Sequence, residues 1–65
     1  MEINECFYKI NDTAKYHIRA KLRPDNVYVI KYFGKYKRWW HYEVVSFYEM
    51  DLMLESGLWS KKRFK

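Results

Sequence analysis

The chain of 65 residues is poor in the residues that punctuate and staple small folds, with one cysteine, one proline and two glycines. A lone Cys6 closes no internal disulfide. That sets aside the disulfide-rich secreted scaffolds and leads to the expectation of a reducing, cytoplasmic setting. The opening Met-Glu-Ile-Asn-Glu-Cys has neither a basic n-region nor an apolar h-region, which supports the same expectation. No apolar run is long enough to span a bilayer. With so few glycines there is no Gly-rich phosphate loop, and no G-x-S-x-G frames a nucleophilic serine. Cys6, His17 and His41 are the only soft or borderline metal ligands, and none pair at zinc-site spacing, so neither metal nor cofactor is expected. Cys6 reads instead as a small buried hydrophobe. Between residues 39 and 60 there is no lysine or arginine at all.

What the chain does have is aromatic mass and positive charge. Aromatics make up 22% of it, enough to bury a core where a disordered tail of this length has none. A chain this short makes one small domain, expected over 1–60, with 61–65 as a basic tail. The net charge of +5 conceals a segregated pattern: nine Lys or Arg against Asp12 and Asp25 over residues 9–38, then four acids and no base over 39–60. A field of that kind bears on partners rather than on fold.

Periodicity gives the elements. Residues 6–10 alternate weakly and read as a short first strand, closed by the turn chemistry of Asn11-Asp12-Thr13. Over 14–23, Ala14, Tyr16, Ile18, Ala20 and Leu22 take the even positions, and Lys15, His17, Arg19, Lys21 and Arg23 the odd ones. This period of two predicts a strand with an apolar inner face and a basic outer face. The competing helix, capped at Asp12 or Thr13 and ended by Pro24, throws Tyr16 and Ala20 off the 14/18/22 stripe by about 160–200°. Arg23-Pro24-Asp25-Asn26 reads as a turn, Val27–Phe33 as the clearest strand, Gly34-Lys35 as a second turn and 36–45 as an aromatic strand completing a hairpin. Ser46-Phe47-Tyr48-Glu49 has capping-box spacing. It opens a helix over 47–56 that ends at Gly57, with Phe47, Met50, Met53 and Leu54 inward and Tyr48 and Leu52 on another side.

The expected fold class is therefore α+β, mostly β: an antiparallel meander of three to four strands with one C-terminal helix. Its plan resembles small SH3-like or open barrels, including the small archaeal chromatin proteins, by architecture alone.

The basic and aromatic pattern carries the functional expectation. Lys15, Arg19, Lys21 and Arg23 on one strand face make a positive stripe with same-face steps of about 6.5–7 Å, close to the phosphate repeat of one nucleic-acid strand. Lys37 and Arg38, with Lys31 and Lys35, extend it. Trp39 or Trp40 would stack bases, and one or two of Tyr28, Tyr32, Tyr36, Trp39 and Trp40 are expected to be exposed. The expected function is non-catalytic binding of nucleic acid, RNA slightly ahead of DNA.

The alternative is an inhibitor or adaptor docking on a host protein through Tyr48, Leu52 and Trp59. Its basic face would meet an acidic protein surface or an RNA bridge. The small size, the Lys/Tyr/Ile-rich usage and the lack of catalytic groups suit an accessory protein of a phage or mobile element. A minor alternative is a metal-independent ribonuclease using His17 and His41, should the two imidazoles flank one phosphodiester. Membrane attachment through Lys61–Lys65 and Phe64 lacks an apolar helix face to hold it.

Overall fold

The computed structural model describes residues 1–64. In chain order the elements are β1 (Cys6–Lys9), β2 (Tyr16–Leu22), β3 (Val27–Phe33), β4 (Trp40–Ser46), α1 (Phe47–Ser56) and β5 (Trp59–Ser60). The strands form one open antiparallel sheet in the order β4-β3-β2-β1-β5, so the first four meander and β5 returns to the far edge beside β1. The α+β, mostly-β expectation holds, with a two-residue fifth strand added after the helix. Within the segment 14–23, Tyr16–Leu22 is strand and no residue is helical.

One face of the sheet is packed and the other is open. Cross-strand register assigns Phe7, Tyr16, Ile18, Tyr28, Ile30, Tyr32 and Val45 to the packed face. There α1 seals the core with the fully buried Met50, and Trp59 stacks on Phe7 with ring centroids 5.0 Å apart. The helix begins and ends where its caps dictate. The Ser46 hydroxyl accepts from the Glu49 amide at 3.0 Å, and Gly57 takes the left-handed φ of 83° that stops the helix. Phe47, Met53 and Leu54 pack inward beside Met50, and Tyr48 and Leu52 face out.

The sheet is strongly curled. Lys9 on β1 reaches Glu43 on β4 at 2.8 Å although β2 and β3 lie between them, and its ammonium sits 4.5 Å from the Tyr16 ring centre and 4.8 Å from that of Trp59. Curl short of closure gives an open sheet in place of a barrel.

Two expectations are corrected. The fourth strand starts at Trp40 rather than at 36, because Gly34–Trp39 closes on itself: the Gly34 amide donates to Trp39 O at 2.8 Å and the Trp39 amide to Lys37 O at 2.7 Å. And β2 does not keep one phase. Ile18 pairs with Ile30, but Ala20, not Arg19, comes next opposite Val29. Arg19 is the extra residue of a β-bulge, and every side chain after it changes face.

Candidate nucleic-acid interface

The bulge decides where the basic stripe goes. Before it, His17 lies in a row with Cys6, Lys31 and Tyr42 on the open face. After it, Lys21 shares a row with the buried Tyr28 on the packed face, and Ala20 and Leu22 turn to the open face beside Val29 and Val27. Lys21 is then absorbed locally, 3.3 Å from Glu2 and 5.8 Å from the Phe47 ring centre; the Arg23 guanidinium lies 5.5 Å from the same ring. The expected stripe of Lys15, Arg19, Lys21 and Arg23 is thus split. Lys15 and Arg19 stay exposed with no carboxylate within 4 Å among the described residues, while Lys21 and Arg23 join the helix side.

The open face that results has two halves. Towards the β2–β3 turn it is apolar: Leu22, Val27, Val29 and Val44, the last 64% exposed. Towards the β3–β4 loop it is aromatic and cationic. Phe33 and Trp40 pair across β3 and β4 in an edge-on contact at 5.3 Å, and Lys31 holds its ammonium 4.4 Å from the Trp40 ring centre. Trp40 remains 44% and Tyr42 62% exposed. His17, Arg19, Lys31, Trp40 and Asn4 line a shallow concavity of about 210 Å³. Burial lowers the His17 pKa, and Lys15, Lys31 and Arg19 lower it further, so this imidazole is neutral at pH 7 inside a positive field.

The loop 34–39 borders this half and adds Lys35, Lys37 and Arg38, all exposed. Trp39 lies in the loop, not on a strand, and is 74% exposed; Tyr36 is 91% exposed. Of the five aromatics expected to include one or two exposed rings, three are exposed: Tyr36, Trp39 and Trp40. Lys37, Arg38 and Trp39 thus lie in the loop that leads into Trp40, and Trp40 shares its concavity with Arg19 and Lys31.

Other expected groups are dispersed. His41 pairs with Tyr32 on the packed face, opposite in sense to His17, so the two imidazoles do not flank a common phosphodiester. Cys6 is half-buried on the open face rather than in the core, its sulfur 3.3 Å from His17 Nδ1. Among the docking candidates, Tyr48 and Leu52 are exposed, but Trp59 is core and offers no docking surface. Of the basic tail, Lys61 reaches Glu5 at 3.7 Å and the Arg63 guanidinium lies 4.9 Å from the Tyr8 ring centre; Lys65 falls outside the described residues. Among the described residues no helix is long and apolar enough to cross a membrane, and no cluster of three metal-ligating side chains occurs.

The sequence reading missed Phe33 and Tyr42. The signal for Phe33 was in β3 itself, and Tyr42 follows from the pairing of β4 with it, opposite Lys31. Val-Tyr-Val-Ile-Lys-Tyr-Phe is apolar on both faces, with Lys31 alone marking the outer one, and Phe33 shares the parity of Lys31. Comparison of the chain with protein-family models, with curated proteins and with solved structures returns no match.

Proposed function

We propose that the chain is a non-catalytic binder of single-stranded nucleic acid, RNA ahead of DNA, working through the aromatic and cationic half of its open sheet face. The observation that carries this reading is the grouping of Phe33, Trp40 and Tyr42 with Arg19 and Lys31 on a face that no element among the described residues covers. Exposed rings on a sheet stack unpaired bases, and adjacent cations follow the backbone. A broad curled sheet does not enter a duplex groove as a helix does, so base contact through these rings requires splayed bases. Single-stranded loops of RNA are the usual targets of that kind.

The test is fluorescence anisotropy with a labelled single-stranded RNA of about ten nucleotides, its DNA equivalent and a duplex of matched length. Each base–ring stack is worth about 1–3 kcal/mol, so Trp40→Ala is expected to weaken RNA binding about 5- to 150-fold. The partly exposed position of Trp40 leaves the core untouched. Duplex bound as tightly as single strand, with Trp40→Ala indistinguishable from wild type, overturns the reading.

A second reading, docking on a host protein, is supported by the apolar half of the same face, where Leu22 and Val44 stay uncovered, and by Tyr48 and Leu52 on the helix. Capture of a protein that survives ribonuclease and is lost in Val44→Lys, with no RNA affinity in the anisotropy assay, would favour it.

A further inference from the structure

A second concavity lies at the loop end of the sheet, on the packed side beyond the reach of α1. It is a cleft of about 420 Å³ between the turn 11–14 and the loop 34–37. That volume is within the range of about 300–1,000 Å³ for small-ligand sites, and suits one nucleotide rather than a length of strand.

Its wall is a run of rings. Tyr16 and Tyr32 meet at 4.7 Å between centroids, and Tyr32 and His41 stack at 5.4 Å with an interplanar angle of 25°. Tyr36 adds an exposed ring at the rim. Such a wall accepts a planar aromatic ligand. The rim also carries Lys35 and Lys37, neither with a carboxylate within 4 Å among the described residues, which suits an anionic group on the same ligand.

The discriminating group is Asp12. Its Oδ1 accepts from the Ala14 amide at 2.8 Å and its Oδ2 from the Tyr16 hydroxyl at 2.6 Å, so the carboxylate is fixed at the cleft wall. Burial works against its charge, but these two bonds, with Lys9 and Lys35 nearby, hold its pKa below the ordinary value. Each oxygen keeps acceptor capacity beyond the bond it makes. An ionised, acceptor-only group takes a hydrogen bond from an exocyclic amine and repels a carbonyl oxygen in the same place. Cytosine and uracil differ at C4, amine against carbonyl, and at N3, bare acceptor against N–H; a carboxylate that meets the 4-substituent favours cytosine.

The cleft is also preformed. Asn11 takes a left-handed φ of 59°, and the Asp12 amide closes the turn on Lys9 O at 3.3 Å. Across the cleft, His41 Nε2 lies 3.1 Å from Lys37 O and ties the loop to β4.

We propose that this cleft receives one nucleotide with an amino-bearing base, cytosine in preference to uracil: the ring against Tyr32, His41 and Tyr36, the amine on Asp12, and the phosphate at Lys35 and Lys37. The proposal rests on the nucleic-acid reading above and deepens it. The strand crosses the open face, and a nucleotide beyond the loop 34–39 drops into the cleft, giving a stacking surface one position of base preference.

The test is a heteronuclear NMR titration of the full chain with cytidine 5′-monophosphate, uridine 5′-monophosphate and ribose 5-phosphate. Cytidine monophosphate is expected to shift the amides of Asp12–Ala14 and Gly34–Lys37 saturably, with an affinity at least about fivefold above that of the uridine nucleotide. Asp12→Asn should erase that ratio. Lys37→Ala, an exposed loop change, should weaken both nucleotides and leave the ratio intact. Equal binding of cytidine monophosphate and ribose 5-phosphate overturns the base pocket, as does the absence of cleft shifts at millimolar nucleotide. A short single-stranded RNA separates the two readings. Shifts at Arg19, Lys31 and Tyr42 without shifts in the cleft sink the cleft alone, and shifts at neither place sink the nucleic-acid reading with it.

Discussion

The bulge at Arg19 makes a prediction that composition alone does not. Four bases alternate over 15–23, but only Lys15 and Arg19 remain with Lys31, Lys35, Lys37 and Arg38 at the aromatic end; Lys21 and Arg23 are turned to Glu2 and Phe47. Each phosphate neutralised on a single strand contributes about −0.7 to the slope of log affinity against log salt, so six engaged cations give about −4. Between about 50 and 200 mM salt that slope costs about 300-fold in affinity. The double variant Arg19→Ala/Lys31→Ala should flatten the slope to about −2.8, a loss of about 50-fold over the same range. Lys21→Ala/Arg23→Ala removes the same charge from the chain but not from the interface, and should leave the slope near about −4. Anisotropy titrations at four or five salt concentrations read all three proteins. If the two double variants flatten the slope equally, net charge rather than the register of β2 governs binding, and the interface drawn here is wrong.

His17 gives opposite pH trends for stability and for binding. Burial and the neighbouring Lys15, Lys31 and Arg19 push its folded pKa below the ordinary imidazole value of about 6.5, so the unfolded chain binds more protons and its contribution to stability falls as pH drops through about 6.5, levelling below the folded pKa. Phosphate beside it favours the imidazolium, so RNA affinity should rise over the same interval; His17→Gln should remove both trends, read by urea melts and by anisotropy between about pH 5 and 8. Glu43→Ala leaves Lys9 without its partner across the curled sheet and should cost about 1–3 kcal/mol, seen as a lower urea midpoint; an unchanged midpoint refutes a structural role for the pair. Gly34→Ala places a methyl group against Lys37 O and the His41 ring, and should cost about 1–3 kcal/mol by the same assay while shifting the amide signals of the loop 34–39.

Much of the architecture was readable because it rests on local chemistry. The β-branched and aromatic run 27–33 is β3 to the residue, and Ser46, Glu49 and Gly57 bound the helix by cap geometry that needs no tertiary partner. The failures share a different cause. Whether β2 keeps its phase depends on which of its residues faces Val29, and that is settled by pairing with β3 rather than by the order Ile18-Arg19-Ala20. Residues 36–39 are as strand-like in type as 40–42, yet the backbone bonds between Gly34 and Trp39 close them into a loop. Cys6 reads as buried on residue preference, but Phe7 takes the core position of β1 and the alternation sends Cys6 outward. A short chain needs large side chains in its core, so at most one or two of Tyr28, Tyr32, Tyr36, Trp39 and Trp40 are expected outside it, whereas Tyr36, Trp39 and Trp40 all are. Phe7, Tyr16, Tyr28 and Trp59 supply that mass instead and release the others to the surface.

A β2 strand without the bulge would put Ala20 and Leu22 beneath the helix and carry its bases along the whole length of the open face. The interface would then be a long, evenly charged stripe interrupted by few rings, suited to any polyanion. With Arg19 inserted, the second half of the strand gives its cations to the helix side and places Leu22 beside Val27, Val29 and Val44. The field is thereby concentrated where Phe33, Trp40 and Tyr42 stand. On the proposed reading a cation beside an exposed ring would contribute both charge and orientation, because a backbone held at Arg19 and Lys31 would set its bases over those rings. One extra residue in one strand thus converts a general electrostatic surface into a directional one. The same irregularity creates the apolar patch on which the protein-docking alternative depends, so both readings of this face trace back to the single shift in register between Ile18 and Ala20.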